Sequence, residues 1–308
     1  MKLRHFLDIH ELSSNTLRAI IDNAHTMKSA GKKVPYQLRP DGIEDDILLM
    51  IFEKPSTRTR ISFDVAMRQL GGQTIVINSS DLQLGRGETV ADTAKVLSRY
   101  GDAIMLRAKS HNTLQELAQY AEIPIINGLT DHSHPCQIIA DIMTFEEAHG
   151  SIVGRIVTWV GDANNVAVSW IHAAAMLGFS LRIACPEQMR PQQDVMNFIS
   201  QSSADILIMD DPSKAVINSD CIVTDTWVSM GQTDERNRKK VLTPYSVTQE
   251  LMTKARPRAI FMHCLPAYRG DEVSADIIDG TQSVVFDEAE NRLHAQKAIL
   301  AWCLGGAG

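Results

Sequence analysis

The chain alternates between short, nearly continuous apolar runs and longer segments whose apolar positions recur every three or four residues. The runs at 46–52, 73–77, 103–107 and 123–126 have the length and composition of buried strands. Between them a helical period is visible at 13–31, 58–70, 89–100, 112–120 and 137–149. The punctuation agrees. Ser13, Ser14 and Asn15 offer helix caps, while Gly31 and the pair Gly71-Gly72 stop helices. Gly150 and Gly154 bracket a hinge, after which the alternation restarts. Strands are predicted there at 156–160, 180–184, 205–209, 221–224, 259–263 and 283–286. Helices are predicted at 166–177, 192–202, 244–255 and 288–303, with a short helix before 221 and a long polar loop after 224.

Strands buried on both faces, each followed by a helix, make parallel sheets covered by helices. A length of 308 residues is long for one core. The expected fold is therefore α/β, with two doubly wound domains, each a central parallel sheet flanked by helices. Ligands in such folds bind beyond the carboxyl ends of the strands, so the active site is expected there, in the cleft between the domains.

Composition changes this picture little: 44% hydrophobic and 22% charged residues describe an ordinary globular chain. A formal charge of −7 argues against nonspecific nucleic-acid binding. The apolar runs are too short to span a bilayer, and the opening residues lack a signal-peptide core. A cytoplasmic protein with no membrane partner is expected. Cys136, Cys185, Cys221, Cys264 and Cys303 are scattered and form no C-x-x-C pair, so neither a disulfide framework nor a metal site is expected.

Polar clusters sit where strands end. Ser56-Thr57-Arg58-Thr59-Arg60 follows one strand and opens a helix. Arginines ordinarily avoid a helix N-terminus, where the dipole opposes them by up to about 1 kcal/mol. Orphan backbone N–H groups, two hydroxyls and guanidinium forks together make a phosphate seat. The G-x-x-x-x-G-K-[ST] loop is absent, which argues against nucleotide triphosphates. Arg107 ends a strand, and His134-Pro135-Cys136-Gln137 follows another, so these side chains can grip a polarised carbonyl.

Gly161-Asp162-Ala163-Asn164-Asn165 lacks the glycines of a dinucleotide loop, which disfavours an NAD-dependent dehydrogenase. Its asparagines suit a zwitterionic ligand or a simple turn. Asp225 follows the strand at 221–224 and can hold an ammonium or accept a proton. His263-Cys264-Leu265-Pro266 places an imidazole and a thiol at another strand end. Strand alternation would turn His263 away from Cys264. Arg292 by itself reads as the start of a surface helix.

Together these residues resemble the transcarbamylase family over essentially the whole chain. Ser56 to Arg60 matches its S-x-R-T-R motif, and His134 to Gln137 its H-P-x-Q motif. Asp225 with Ser229-Met230-Gly231, and His263 to Pro266, resemble the D-x-x-x-S-M-G and H-C-L-P signatures of its ornithine-specific branch. Ala163 stands where that branch would place glycine. The resemblance implies transfer of a carbamoyl group from carbamoyl phosphate to the δ-amine of L-ornithine, giving citrulline in arginine biosynthesis. Aspartate, putrescine and acetylornithine are the alternative acceptors, and a noncatalytic phosphate-binding protein is the rival outside enzymes.

By the same resemblance, Ser56, Thr57, Arg58, Thr59, Gln83, Arg107, His134, Gln137, Cys264, Leu265 and Arg292 bind carbamoyl phosphate. Asn165, Asp225, Ser229 and Met230 bind ornithine, and Arg58, Arg107, His134, Asp225 and Cys264 act in catalysis. Residues 1–148 form the carbamoyl phosphate domain and 149–286 the ornithine domain, with the helix of 287–308 packing back on the first. A homotrimer with shared sites is implied, Gln83 reaching into a neighbouring subunit's site. No cofactor is implied.

Overall fold

The structure, a computed structural model, describes residues 3–32, 34–78, 87–228 and 234–306. Residues 83, 229 and 230, three of the candidate positions, lie outside the described residues. The chain divides into two compact units: 1–143 with 290–308, and 144–289.

The first unit holds strands β1 (Ile47–Phe52), β2 (Gln73–Asn78), β3 (Ala103–Arg107) and β4 (Ile125–Leu129). Its helices are α1 (Ser14–Ser29), α2 (Thr57–Leu70), α3 (Val90–Leu97) and α4 (His111–Tyr120), and α5 (Pro135–His149) begins in it. All pairings are parallel, in the order β2-β1-β3-β4. The chain leaves β1 toward β2 on one side and later takes up β3 and β4 on the other. The order therefore reverses between β1 and β3, the crevice where doubly wound sheets place ligands. Leu49, Ile51, Ile104, Leu106 and Ile125 of the sheet pack with Leu114 and Leu117 of α4 in one apolar cluster. Asp102 accepts the N–H of Ile47 at 2.8 Å, fixing the start of the central strand.

The second unit repeats this logic with β5 (Ile156–Val160), β6 (Ser180–Ala184), β7 (Ile206–Met209), β8 (Cys221–Thr224) and β9 (Ile260–His263). The order is β7-β6-β5-β8-β9, so the reversal falls between β5 and β8. Around the sheet run α6 (Asn165–Leu177), α7 (Gln193–Gln201), α8 (Pro212–Ala215), α9 (Glu235–Leu242), α10 (Gln249–Met252) and α11 (Ala275–Ile278), and α12 (Val285–Cys303) begins here. Asp220 accepts the N–H of Ile156 at 3.0 Å, the counterpart of Asp102.

Four elements differ from the sequence expectation. The helix expected at 244–255 is broken into a single 3-10 turn, Thr243–Tyr245, and the four-residue α10, with extended residues between them. The fourth strand starts two residues later than 123 and ends at Leu129, because Asn127 and Gly128 continue the ladder across a bulge opposite Leu106 and Arg107. The segment 283–286 is not a strand. Ser283 makes a single bridge to Phe261, and the helix has already begun at Val285. The polar loop after 224 contains α9, whose sequence ERNRKKVL has one buried residue, Leu242, and too few apolar positions to show a helical stripe.

Candidate active site

In the first unit, the helix that opens the phosphate seat is capped by its own sequence. Ser56 has extended backbone and its Oγ accepts the N–H of Thr59. Successive positions of α2 then point to different sides. Thr59 turns inward and is 1% exposed, whereas Thr57 and Arg60 are exposed. Arg60, Thr57, Ser56 and Lys54 line a cavity of about 630 Å³, to which Thr59 does not contribute. Arg58 and Arg60 are two positions apart and so project roughly 200° from each other around the helix.

Thr59 is the centre of a buried cationic cluster. Arg107 Nη1 and Arg292 Nη2 each donate to Thr59 Oγ1 at 3.3 Å. With two donors on that oxygen, the hydroxyl proton is left to serve an anion. Arg107 arrives from the end of β3, where the bulge against β4 re-aims the chain. Arg292 comes from α12 and is 3% exposed; its Nη1 donates to Gln137 Oε1 at 2.6 Å. Gln137 in turn donates to Asp141 Oδ1 at 2.7 Å, which fixes the orientation of its amide.

His134 stands immediately before α5 and is buried. Burial holds its imidazole well below the ordinary histidine range, and the Arg292 and Arg107 charges push the same way. At neutral pH it is an uncharged imidazole beside two guanidinium groups. The neighbouring Cys136 donates to Asn127 O at 3.2 Å, and burial pushes its thiol up to about 12, so it is a core residue.

The second unit gathers a second cluster across its β5/β8 reversal. Asp225, after β8, accepts from three groups: Asn164 Nδ2 at 2.8 Å, Thr226 N at 2.7 Å and Cys264 Sγ at 3.2 Å. Asn164 caps α6 with its Oδ1 and crosslinks to Asp225 with its amide. The residues alone leave both asparagines as ligand groups or a turn, and the resemblance implies Asn165; neither assigns Asn164 this cap, although an asparagine just before a helical run is a preferred one. Ala163 lies outside the left-handed region, where Asn218 and Leu265 are the non-glycine members among the described residues. Alanine is therefore no strain at that position.

His263 and Cys264 lie closer than strand alternation suggests. β9 ends at His263, so Cys264 belongs to the loop, and Asp225, His263 and Cys264 bring one polar atom each within 4.8 Å of one another. These atoms already face protein partners. His263 Nδ1 accepts the N–H of Leu265 at 2.9 Å, its Nε2 lies 3.4 Å from Glu272 Oε1, and the Cys264 thiol serves Asp225. Leu265 has φ 58°, an unfavourable conformation for a non-glycine residue that the His263 bond supports. Glu288 Oε2, on α12, accepts the N–H of His263 at 2.8 Å.

Two doubly wound α/β units, each with a polar cluster at the strand-order reversal, define a class of enzymes that hold small polar ligands at such crevices. Comparison with known proteins narrows the class. The family model described as aspartate/ornithine carbamoyltransferase, carbamoyl-P binding domain, matches residues 4–147, and its Asp/Orn binding domain counterpart matches 154–303. The chain belongs to the aspartate/ornithine carbamoyltransferase family. It is 56% identical over 307 residues to an ornithine carbamoyltransferase of Rhodopseudomonas palustris, covering 99% of this chain and 98% of that one. The ornithine carbamoyltransferase structure from Pyrococcus furiosus is 47% identical with a TM-score of 0.92, covering 99% and 98%. An anabolic ornithine carbamoyltransferase from Campylobacter jejuni is 38% identical with a TM-score of 0.89, covering 98% and 99%.

Proposed function

We propose that the protein transfers the carbamoyl group of carbamoyl phosphate to the δ-amine of L-ornithine, releasing L-citrulline and phosphate. The family membership and the names of relatives identical at more than half of their positions support this reading. The observation that carries it is the convergence of Arg107 and Arg292 on the buried Thr59 hydroxyl, beside a neutral His134.

Carbamoyl phosphate occupies the first cluster. Its phosphate is held by Ser56, Thr57, Arg58 and Thr59 and by the N–H groups that open α2, with Arg292 adding a cation. Thr59, Arg107 and His134 serve the carbonyl oxygen, and Gln137 the carbamoyl amide. Ornithine is held by Asn165, Asp225, Ser229 and Met230, with Cys264 at the reacting amine and Leu265 completing the carbamoyl side. The 1–148 segment is the carbamoyl phosphate domain and 149–286 the ornithine domain.

Ornithine's side-chain ammonium resembles that of lysine, with a pKa of about 10.4, so the attacking neutral form is scarce at pH 7. Asp225, hydrogen-bonded by the Cys264 thiol, positions the amine and takes part in removing its proton. Attack at the carbonyl carbon forms the C–N bond and places charge on oxygen. One preorganised donor to such an oxygen is worth about 3 kcal/mol, and three converge here. Collapse breaks the C–O bond to phosphate, whose charge Arg58, Arg292 and the helix terminus neutralise.

The chain acts in the biosynthetic direction, in the cytoplasm, as a homotrimer in which Gln83 serves a neighbouring site. The anabolic designation of the C. jejuni relative supports the direction. The test supplies purified protein with carbamoyl phosphate and, separately, ornithine, aspartate, putrescine and acetylornithine. Citrulline from ornithine alone is expected. Product from any other acceptor in preference to ornithine overturns the assignment, and sedimentation equilibrium reads the number of chains.

A further inference from the structure

The polar helix α9 has little apolar surface to hold it, yet its Arg238 makes two bonds to two distant segments. Its Nε donates to Trp227 O at 2.8 Å, just after β8, and its Nη2 bonds the Asp162 carboxylate, just after β5. Both partners of the ion pair are only 18% exposed at their side chains. The same two segments are joined a second time by Asn164 and Asp225. A close approach underlies both links. Gly161 has φ 130°, and a Cβ there would meet Thr224 Oγ1 at 3.4 Å and Trp227 Nε1 at 4.0 Å.

We infer that Arg238 is a positioning residue for the acceptor: it clamps the turn bearing Asn164 and Asn165 to the segment bearing Asp225, so that ornithine meets a preset polar grip. This assignment rests on the ornithine reading above. A planar guanidinium suits the task, because two of its donors point to separate partners at fixed angles, which an ammonium cannot reproduce. The charges fit as well. Burial and the nearby Asp225 raise the Asp162 carboxyl, and Arg238 opposes them, offsetting the repulsion between carboxylates on two neighbouring segments. Lys239 anchors the next position of α9 to Asp271 at 2.9 Å, in the loop that follows Cys264. One polar helix therefore bonds to the segments that follow β5 and β8 and to the loop beyond β9.

The competing reading is that Arg238 binds the substrate itself, and Asp162 separates the two. In the clamp, Asp162→Asn weakens acceptor binding as Arg238→Ala does. In direct ligation it leaves acceptor binding intact. The experiment measures steady-state kinetics and deuterium exchange of the 224–228 backbone for R238A, R238K, D162N and the R238A/D162N pair. The ornithine KM should rise roughly tenfold or more in R238A and D162N, matching a lost charge-assisted contact. The carbamoyl phosphate KM should stay within about twofold, R238K should recover part of the loss, and the pair should be no worse than R238A, because one clamp is broken once. Exchange at 224–228 should quicken in the same variants. An unchanged ornithine KM in D162N, additive losses in the pair, or unchanged exchange in R238A would overturn the clamp. Failure of the unaltered protein to make citrulline would instead sink the ornithine reading, and the exchange comparison would still decide whether Arg238 fixes the segment.

Discussion

Arg292 is the buried cation on which the carbamoyl phosphate assignment depends most, and replacing it with methionine isolates its role. The change keeps most of the side-chain volume. It removes the 2.6 Å bond to Gln137 and the 3.3 Å bond to Thr59. Loss of the charged donor to a buried Gln137 oxygen costs about 1–3 kcal/mol, while relief from burying a guanidinium offsets part of that. The net loss of stability should therefore be about 1–2 kcal/mol, and the protein should still fold. The effect on the ligand is larger. A unit charge about 4 Å from a phosphate oxygen, at an effective dielectric constant of about 20, is worth about 4 kcal/mol, or roughly 10³-fold in binding. Initial-rate kinetics with each substrate varied in turn should show kcat/KM for carbamoyl phosphate falling by about that factor, with little change in ornithine KM. Arg292→Lys should fall between, since the charge remains but the fork is lost. A folded R292M protein losing less than about tenfold would refute the placement of the phosphate beside this side chain.

Other outcomes follow from the same geometry. Cys264→Ala should lower kcat by about 10²-fold through loss of the thiol beside Asp225, with thermal stability nearly unchanged; normal kcat and ornithine KM would remove Cys264 from the mechanism. His134 has a depressed pKa in the folded state, so its contribution is intact above the unfolded value of about 6.5 and is lost as pH falls toward the folded value. Urea unfolding at pH 7.5 and 5.5 should therefore show a steeper acid loss in the unaltered protein than in His134→Gln, by up to about 1.4 kcal/mol per pH unit. Asp46 shows the opposite sign. Burial and the charges of Asp102, Asp45 and Glu44 raise its carboxyl to about 6, so stability is lost as pH rises from about 4 through that value. Asp46→Asn should stabilise the protein at pH 7 by about 1 kcal/mol, discounted for partial exposure, and should give no gain at pH 4; equal gains at both would show that charge is not the cause.

What could be read beforehand depended on how local the causes were. Ser56 caps the helix that begins at the next residue, through the N–H three positions on, and Asp225 follows its strand directly, so both positions announce themselves in sequence. α9 did not, because its stability comes from Asp162, Trp227 and Asp271, all remote in the chain. The expected strand at 283–286 was apolar, yet Val285 packs into the core from a helix start; short apolar runs do not distinguish the two. Arg292 looked like a surface residue because its burial is created by Gln137 and Thr59, 155 and 233 positions away.

The sequence by itself determined the strand and helix alternation, the two parallel-sheet units and the chemical types at the strand ends. Those properties follow from periodicity and from caps, which act over a few residues. Tertiary structure decided which of those groups meet. The strand orders place β1 beside β3 and β5 beside β8, and this brings Thr59 to Arg107 and Asn164 to Asp225. It also separated Thr59 from Arg60, one motif whose neighbouring residues face a buried cluster and an open cavity. A helix turns about 100° per residue, so adjacent letters share a motif without sharing a site.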